Sequence, residues 1–452
     1  MKTAEEKLNK LWYTAPLTFF AAALLPEYVA PVLMVVCFVL VFKNRNLLKK
    51  DSCFGSIGTA LIVFISWIII GMIYSSYPVS ALASIGLWIL MFCGYYISSE
   101  VLDSEIKINR MFYCGCLTAG IVGTIGIFQM VLFHYGDYFY DGLSKMLNPF
   151  WHFLDVGVAK AVTILPDFIV SAMPRTKFLT FPTRACSTFS NPLFFSAFEV
   201  IMLPFTTYSF LCMKQKKERI IGFICMFLSL GGIACSYSRG PYIFAAIVFL
   251  CLLLYGGKKT IYLGAVGAAF LSAIVVFAQG TIKRFLSLID NKDISVNTRS
   301  EIFKAVLISS KKHPVFGMGT GFNTVRSILR NDFNIQYQSH AHNIILEILA
   351  ENGIIGVLLF AALLVVFMIN IIKLSKIGKE QRYIAVTLFA SVGGFVLCGM
   401  TDCLFYGLKP LQYFMLILGI SQAVFTMYLK DKQIYLLPES PRRKIASIFR
   451  QK

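Results

Sequence analysis

Residues 354–372 read IIGVLLFAALLVVFMINII, a stretch without one charged side chain. A helix rises about 1.5 Å per residue and the hydrocarbon core of a bilayer is about 30 Å thick, so a run of roughly 20 apolar residues has the length to cross it. The helix also satisfies its own backbone in a medium that offers no hydrogen bonds. With 452 residues, 57 % of them hydrophobic, the chain holds far more apolar side chain than a soluble core of that size needs. Similar runs recur along its length, and the pattern predicts an all-α polytopic membrane protein, one integral membrane domain over 1–452. Twelve spans are predicted. The first two share 11–42 and part at Pro26-Glu27, where a proline and a charge oppose a continuous helix. The others fall near 55–74, 80–98, 111–134, 190–212, 220–236, 241–255, 260–279, 354–372, 383–400 and 409–429.

Well over half of the 42 lysines and arginines lie in segments that share one side when both termini are cytoplasmic, although the opposite loops are longer. The positive-inside rule therefore predicts cytoplasmic termini. The net charge of +19 is then chiefly topology, with some attraction to anionic membrane lipids. No soluble module carries basic residues interleaved with aromatics, so nucleic acid is not an expected partner. The N-terminal segment has mixed charge and no small-residue cleavage site, and reads as retained rather than as a removed signal. The 12 cysteines lack C-x-x-C spacing and mostly fall within spans as small apolar filler. Cys186 and Cys403 face outside in this topology, and sequence leaves their pairing open.

Two external segments are long enough to build a site, about 135–189 and 280–353. In the first, 151–173 alternates apolar clusters with Asp155, Lys160 and Asp167, as in a helix lying in the membrane interface. The second is read as the catalytic loop. A helix is predicted to begin near Thr298-Arg299-Ser300-Glu301, with Thr298 or Ser300 as its cap, and to end at His313-Pro314. Gly317-Met318-Gly319-Thr320-Gly321 follows. Glycines at this density either let main-chain amides approach a ligand or make a flexible turn. No P-loop lysine follows them, which argues against a nucleotide site.

Ser339-His340-Ala341-His342-Asn343 stands where the loop meets the apolar helix. Asn343, Glu347 and Glu351 share one face of a short amphipathic helix, with Ile344, Ile345, Ile348 and Leu349 opposite, and Asn352-Gly353 is a stop before the span. His342 at the positive end of this helix is disfavoured as an imidazolium and can accept a proton. A lone histidine at a cap is more often structural; the surrounding features favour chemistry. His340 and His342 supply only two metal ligands, and no cysteine or carboxylate stands at a spacing that completes a set. No metal and no cofactor is expected. Arg184 before Ser190-Asn191-Pro192, Arg239 in Ser236-Tyr237-Ser238-Arg239-Gly240, and Arg299 all lie near predicted external helix ends. Singly each could be a snorkelling anchor. As a set they suit a pyrophosphate, whose oxygens a guanidinium binds in two-pronged fashion.

At these residues the chain resembles the O-antigen ligase and polysaccharide polymerase superfamily, sometimes called the Wzy-C family. His342-Asn343, nine residues, then Gly353 and Gly356 fits a ligase signature of histidine with Asn, Ser or Gln followed by Gly-x-x-Gly. The Ser238-Arg239-Gly240 turn, His313-Pro314 with Gly317 and Gly319, and the stretch from Arg184 to Pro192 are similar to further family features. Together they cover roughly 180–370. The resemblance implies a metal-independent membrane glycosyltransferase that uses an undecaprenyl-pyrophosphate-linked oligosaccharide donor at the outer face of the cytoplasmic membrane. It implies His342 as the base on an acceptor sugar hydroxyl and Arg184, Arg239 and Arg299 as the pyrophosphate holders. His340 and Asn343 would orient the acceptor or His342, and direct attack would invert the anomeric centre.

Two roles fit this resemblance: a polymerase of exopolysaccharide or O-antigen repeat units, and a ligase attaching a finished glycan to a lipid A core of lipopolysaccharide or to protein. Low Ala with high Phe, Ile and Lys usage suggests an AT-rich source, many of which lack such a core, and tips the reading to polymerase. The acceptor would then be another lipid-linked glycan, with a flippase and a chain-length regulator as further partners. A flippase or transporter is the competing class. It would show inverted repeats with broken helices at the midplane; no convincing internal repeat occurs, and polar residues concentrate in the external loops.

Overall fold

The computed structural model describes residues 10–48, 52–135, 184–255, 294–336 and 338–437. No strand occurs among the described residues. The helices are α1 (Thr14–Leu24), α2 (Val29–Lys43), α3 (Ser56–Ile70), α4 (Pro78–Val101), α5 (Glu105–Tyr135), α6 (Pro192–Cys212), α7 (Lys216–Cys235), α8 (Arg239–Tyr255), α9 (Ile294–Ser310), α10 (Phe322–Ser327), α11 (Ile344–Ser375), α12 (Lys379–Gly399) and α13 (Leu408–Tyr428). Seven of them, α4 to α7 and α11 to α13, are long and apolar enough to cross a membrane, and α1, α2, α3 and α8 are shorter apolar helices. The expected twelve spans thus reduce, among the described residues, to seven of spanning length and four shorter ones. The span expected at 260–279 and the interfacial helix expected at 151–173 lie outside the described residues.

The chain parts at Pro26-Glu27 as its chemistry requires, with Leu25 extended between α1 and α2. At 11 residues α1 rises only about 16 Å, so the first half of 11–42 falls short of a full span. The loop helix α9 starts at Ile294, one turn earlier than expected, which puts Thr298 and Ser300 inside it rather than at its cap.

α6 packs against α5, α7, α8 and α12, while α13 lies along α4 and also touches α1, α6 and α12. These two central helices carry Glu199, Lys409, Gln412 and Gln422, all fully buried. The apolar α11 instead exposes Leu358 and Val365. The arrangement is inverted relative to a soluble bundle because lipid accepts apolar faces freely while a polar group in lipid is costly. Between α12 and α13, Phe395 stacks on Phe414 at 4.2 Å, and Phe405 packs edge-on to Trp88 and Phe360.

Buried polar groups hold the segment 184–191 in place. Lys409 Nζ donates to Thr188 O (2.6 Å) and Ala23 O (3.0 Å) and lies over the Phe189 ring. Gln129 Oε1 accepts the amides of Cys186 and Ser187, and Glu27 Oε1 accepts Ser190 N and Oγ. Arg184 therefore begins a backbone fixed from two helices, α5 and α13, and from the turn between α1 and α2. Cys186 and Cys403 are both buried and form no disulfide with each other.

Candidate active site

Gly353 organises this end of the bundle. Its φ of +63° and ψ of −168° belong to a region that only glycine visits readily, and they interrupt α11 after one interfacial segment. In an unbroken helix the carbonyls of Ala350 and Glu351 would accept the amides of Ile354 and Ile355. Here Met318 N donates to Ala350 O (2.8 Å) and Gly319 N to Glu351 O (2.9 Å), while Ile354 N and Ile355 N donate to Pro314 O (2.9 Å) and Val315 O (3.4 Å). The loop 314–319 thus completes the broken helix. Gly317 and Gly319, at φ +77° and +95°, give the loop its left-handed turns, and a Cβ on Gly317 would sit 2.5 Å from the backbone of residues 351–353.

This corrects both readings of the glycine loop. The amides of Gly317 through Thr320 are all taken, by His313 O, Ala350 O, Glu351 O and Gly71 O, so the loop is neither a ligand cradle nor a flexible turn. Thr320 Oγ1 lies 2.8 Å from Asn352 Oδ1 and 2.9 Å from Ile68 O, and Trp67 Nε1 donates to Asn352 O at 3.0 Å, which ties the break to α3. Gly356 makes room one turn on: a Cβ there would meet Asn352 Cβ at 2.5 Å.

Asn343 is the N-cap of α11. Its Oδ1 accepts the amides of Ile345 (2.9 Å) and Leu346 (3.1 Å), and its Nδ2 donates to Met400 O at 3.2 Å. The cap so anchors the helix start to the end of α12. His342, just before it, adopts φ +50°, a strained backbone for a residue with a Cβ and of the kind that concentrates at functional sites. The imidazole is thereby turned toward the connection between α12 and α13. Its Nδ1 lies 3.0 Å from Asp402 Oδ1, and its Nε2 2.8 Å from Gln338 Oε1. Asp402, 5 % exposed, also accepts Cys403 N at 2.9 Å. An ionised carboxylate only accepts hydrogen bonds, so it selects the tautomer with hydrogen on Nδ1 and leaves the Nε2 lone pair for proton transfer. Asp402 was not foreseen, and neither was Gln338.

His340 is placed differently. Its ring packs on Tyr406 at 5.3 Å, and its Nδ1 is enclosed, 4.0 Å from Glu347 Oε1, although about a third of the side chain reaches solvent. Burial pushes its pKa down to about 4, with the charges of His342 and Arg326 acting the same way against Asp402. At neutral pH it is a hydrogen-bonding ring, not a cation. Glu347 Oε2 accepts the amide of Ala341, between the histidines, at 2.6 Å, and Tyr406 donates to Glu351. The face expected to be the polar side of an amphipathic helix is therefore buried, with Glu347 at 3 % and Glu351 at 5 % exposure. It looks into the site, while Ile345 and Leu349 are only partly covered.

Arg184 reaches the turn that leads into Arg239. Arg184 Nε donates to Ser236 O (3.0 Å) and its Nη2 to Ser238 Oγ (2.7 Å), which joins it to the turn before Arg239. In that turn Tyr237 takes φ +48°, and Gly240 packs against Thr401, the neighbour of Asp402. The Arg184–Arg239 turn and the His342–Asp402 pair thus share one end of the bundle. Arg299 lies on α9, whose inner residues Ile302, Ala305 and Val306 form a small apolar cluster with Ala341, Val325 and Leu329. No contact of Arg299 with the other two arginines or with His342 is found among the described residues.

The comparison with known families gives residues 224–361 as a match to the family described as O-antigen ligase. This region of the chain is O-antigen ligase-like. It holds Arg239, Arg299, His340, His342, Asn343, Gly353 and Gly356, and leaves Arg184 and Asp402 outside. No curated protein matches the chain. Residues 224–361 are thus similar to the O-antigen ligase family, in a chain with seven helices long and apolar enough to cross a membrane.

Orientation of His342 by Asp402 has a measurable consequence. Asp402→Asn keeps the shape but loses the charge and can present N–H to Nδ1, selecting the wrong tautomer. If His342 serves as the base proposed below, glycan transfer is expected to fall about 10²- to 10⁴-fold, because a histidine held in the wrong tautomer loses its general-base function, with little change in unfolding temperature.

Proposed function

We propose that the protein is a membrane glycosyltransferase that passes a glycan from an undecaprenyl-pyrophosphate-linked oligosaccharide to an acceptor sugar hydroxyl at the outer face of the cytoplasmic membrane, as a polymerase of polysaccharide repeat units. The observation that carries this reading is the pairing of His342 Nδ1 with Asp402, which leaves Nε2 facing the loop side. In the proposed step the acceptor O–H gives its proton to Nε2 as its oxygen attacks the anomeric carbon. The bond from that carbon to the pyrophosphate oxygen breaks, and its electron pair leaves with the pyrophosphate. One displacement inverts the anomeric centre and requires no covalent enzyme intermediate.

Arg184 and Arg239 are proposed to hold the departing pyrophosphate, where fixed positive charge stabilises negative charge as it develops. Arg299 joins them in this proposal from α9. His340, neutral and partly exposed, is assigned to the acceptor as a hydrogen-bonding ring. Arg239→Ala is expected to raise the donor KM roughly 10- to 100-fold, the worth of one charge-assisted hydrogen bond. Arg239→Lys should recover only part of this, because an ammonium lacks the planar fork. Titration of the donor in proteoliposomes measures both.

Glycan length in a deletion strain tests the polymerase reading. Loss of long chains with single units still attached supports polymerisation. Unattached long chains on the carrier lipid would instead assign a ligase acting on a lipid or protein acceptor.

A further inference from the structure

Asp402 engages one nitrogen of His342, and the other has a partner of its own. Nε2 lies 2.8 Å from Gln338 Oε1. A base must stand within about 2.6–3.2 Å of the hydroxyl it deprotonates, so the Gln338 amide occupies the position that an acceptor hydroxyl must take. A primary amide carries a donor and an acceptor at the same end. By turning over, it can meet Nε2 with N–H when the ring offers a lone pair, and with C=O when the ring offers N–H. A carboxylate could do only the second and an ammonium only the first.

The two sides of the ring also differ in how they are held. Ala341 and Asn343 are fixed by Glu347, by Met400 and by the helix cap. Gln338 lies outside any helix, is partly exposed, and follows a turn in which Asn334 takes φ +57°. The firm side is the Asp402 side, and the side that can yield is the acceptor side.

Resting on the assignment of His342 as the base, we propose that Gln338 is a positioning residue that competes with the acceptor: its amide pairs with Nε2, gives way to the sugar hydroxyl, and accepts the Nε2–H after transfer. The proton then leaves to solvent from the exposed edge of the ring, whose side chain is 22 % accessible. The titratable and charged groups around the imidazole are Asp402 from the α12–α13 connection and His340 two residues before it, with Glu347 of α11 and Arg326 of α10 beside His340.

The test uses the full-length protein in proteoliposomes. The donor is the polyprenyl-pyrophosphate-linked glycan extracted from source membranes, and the acceptor is the same oligosaccharide released by mild acid. Gln338→Ala is expected to lower the acceptor KM about three- to tenfold, the effect of removing one competing neutral hydrogen bond, with the change falling on KM rather than kcat. Gln338→Glu sets a carboxylate against Nε2, which favours the imidazolium. The base works only when neutral, so the acidic limb of the kcat/KM profile should move to higher pH by about one unit or more. A raised acceptor KM in Gln338→Ala would overturn the proposal by making Gln338 an acceptor-binding group. An unchanged KM, or an unmoved limb in Gln338→Glu, would overturn it by making Gln338 a loop residue only. His342→Ala, run alongside, separates the two levels. Transfer at the normal rate in that variant removes the base assignment itself, whereas an inactive His342→Ala with unaltered Gln338 variants removes the Gln338 proposal alone.

Discussion

With His342 as the proposed base, His342→Ala is expected to lower kcat for glycan transfer by about 10²- to 10⁴-fold, the range for loss of a positioned general base, while the lipid-linked donor still binds. The separation is expected because, of the groups assigned to the pyrophosphate, Arg184 begins the segment fixed by Gln129, Glu27 and Lys409, and Arg239 starts α8 after the turn that Arg184 joins. None of these hydrogen bonds passes through His342. The backbone adds a control. His342 has φ +50°, where alanine is strained but asparagine is tolerated. His342→Asn should therefore unfold at nearly the wild-type temperature yet transfer no better than the alanine variant. Donor binding and single-turnover transfer, measured on the same reconstituted samples, check both halves.

Gly353→Val is the most damaging structural change expected outside the central helices. A Cβ at this position would lie 2.2 Å from Val315 O and 2.6 Å from Gly317 N. The backbone there also has a conformation that a β-branched residue cannot hold. Strain and overlap together are expected to cost about 3 kcal/mol or more. The loss should appear as a lowered unfolding temperature in detergent. It should also expose the amides of Met318 and Gly319 to hydrogen exchange, because these donate to Ala350 O and Glu351 O only while the break is intact. Activity falls as a consequence, since the same segment begins at Asn343 and carries Glu347 against Ala341.

The elements that sequence reveals are those set by local chemistry. The charge-free run 354–372, the break at Pro26-Glu27 and the helix start at Asn343 each depend on a few neighbouring residues, and each stands where its pattern puts it. The spacing from His342-Asn343 to Gly353 and Gly356 is legible for the same reason. What sequence concealed is nonlocal. Asp402 lies 60 residues beyond its histidine, in a short connection with no pattern of its own, and only the packing of α11 on α12 brings the two together. The polar face of 343–351 is misread for a different reason. In water it would turn outward, but beside lipid it turns into the protein, where Glu347 and Glu351 surround the histidine loop. The glycines at 317 and 319 show a third limit. Their φ values are foreseeable, but the helix break that uses their amides is visible only once both partners are in place.

The most direct test of the central claim, that Asp402 acts through His342, is a double-mutant cycle in single-turnover glycan transfer. Rates are measured for the wild type, His342→Ala, Asp402→Asn and the double variant in proteoliposomes. Residues that act as a unit are strongly non-additive. The account predicts that Asp402→Asn slows transfer about 10²- to 10⁴-fold when His342 is present and has no further effect once His342 is alanine. Additive losses, with Asp402→Asn slowing the His342→Ala protein by the same factor, would contradict it.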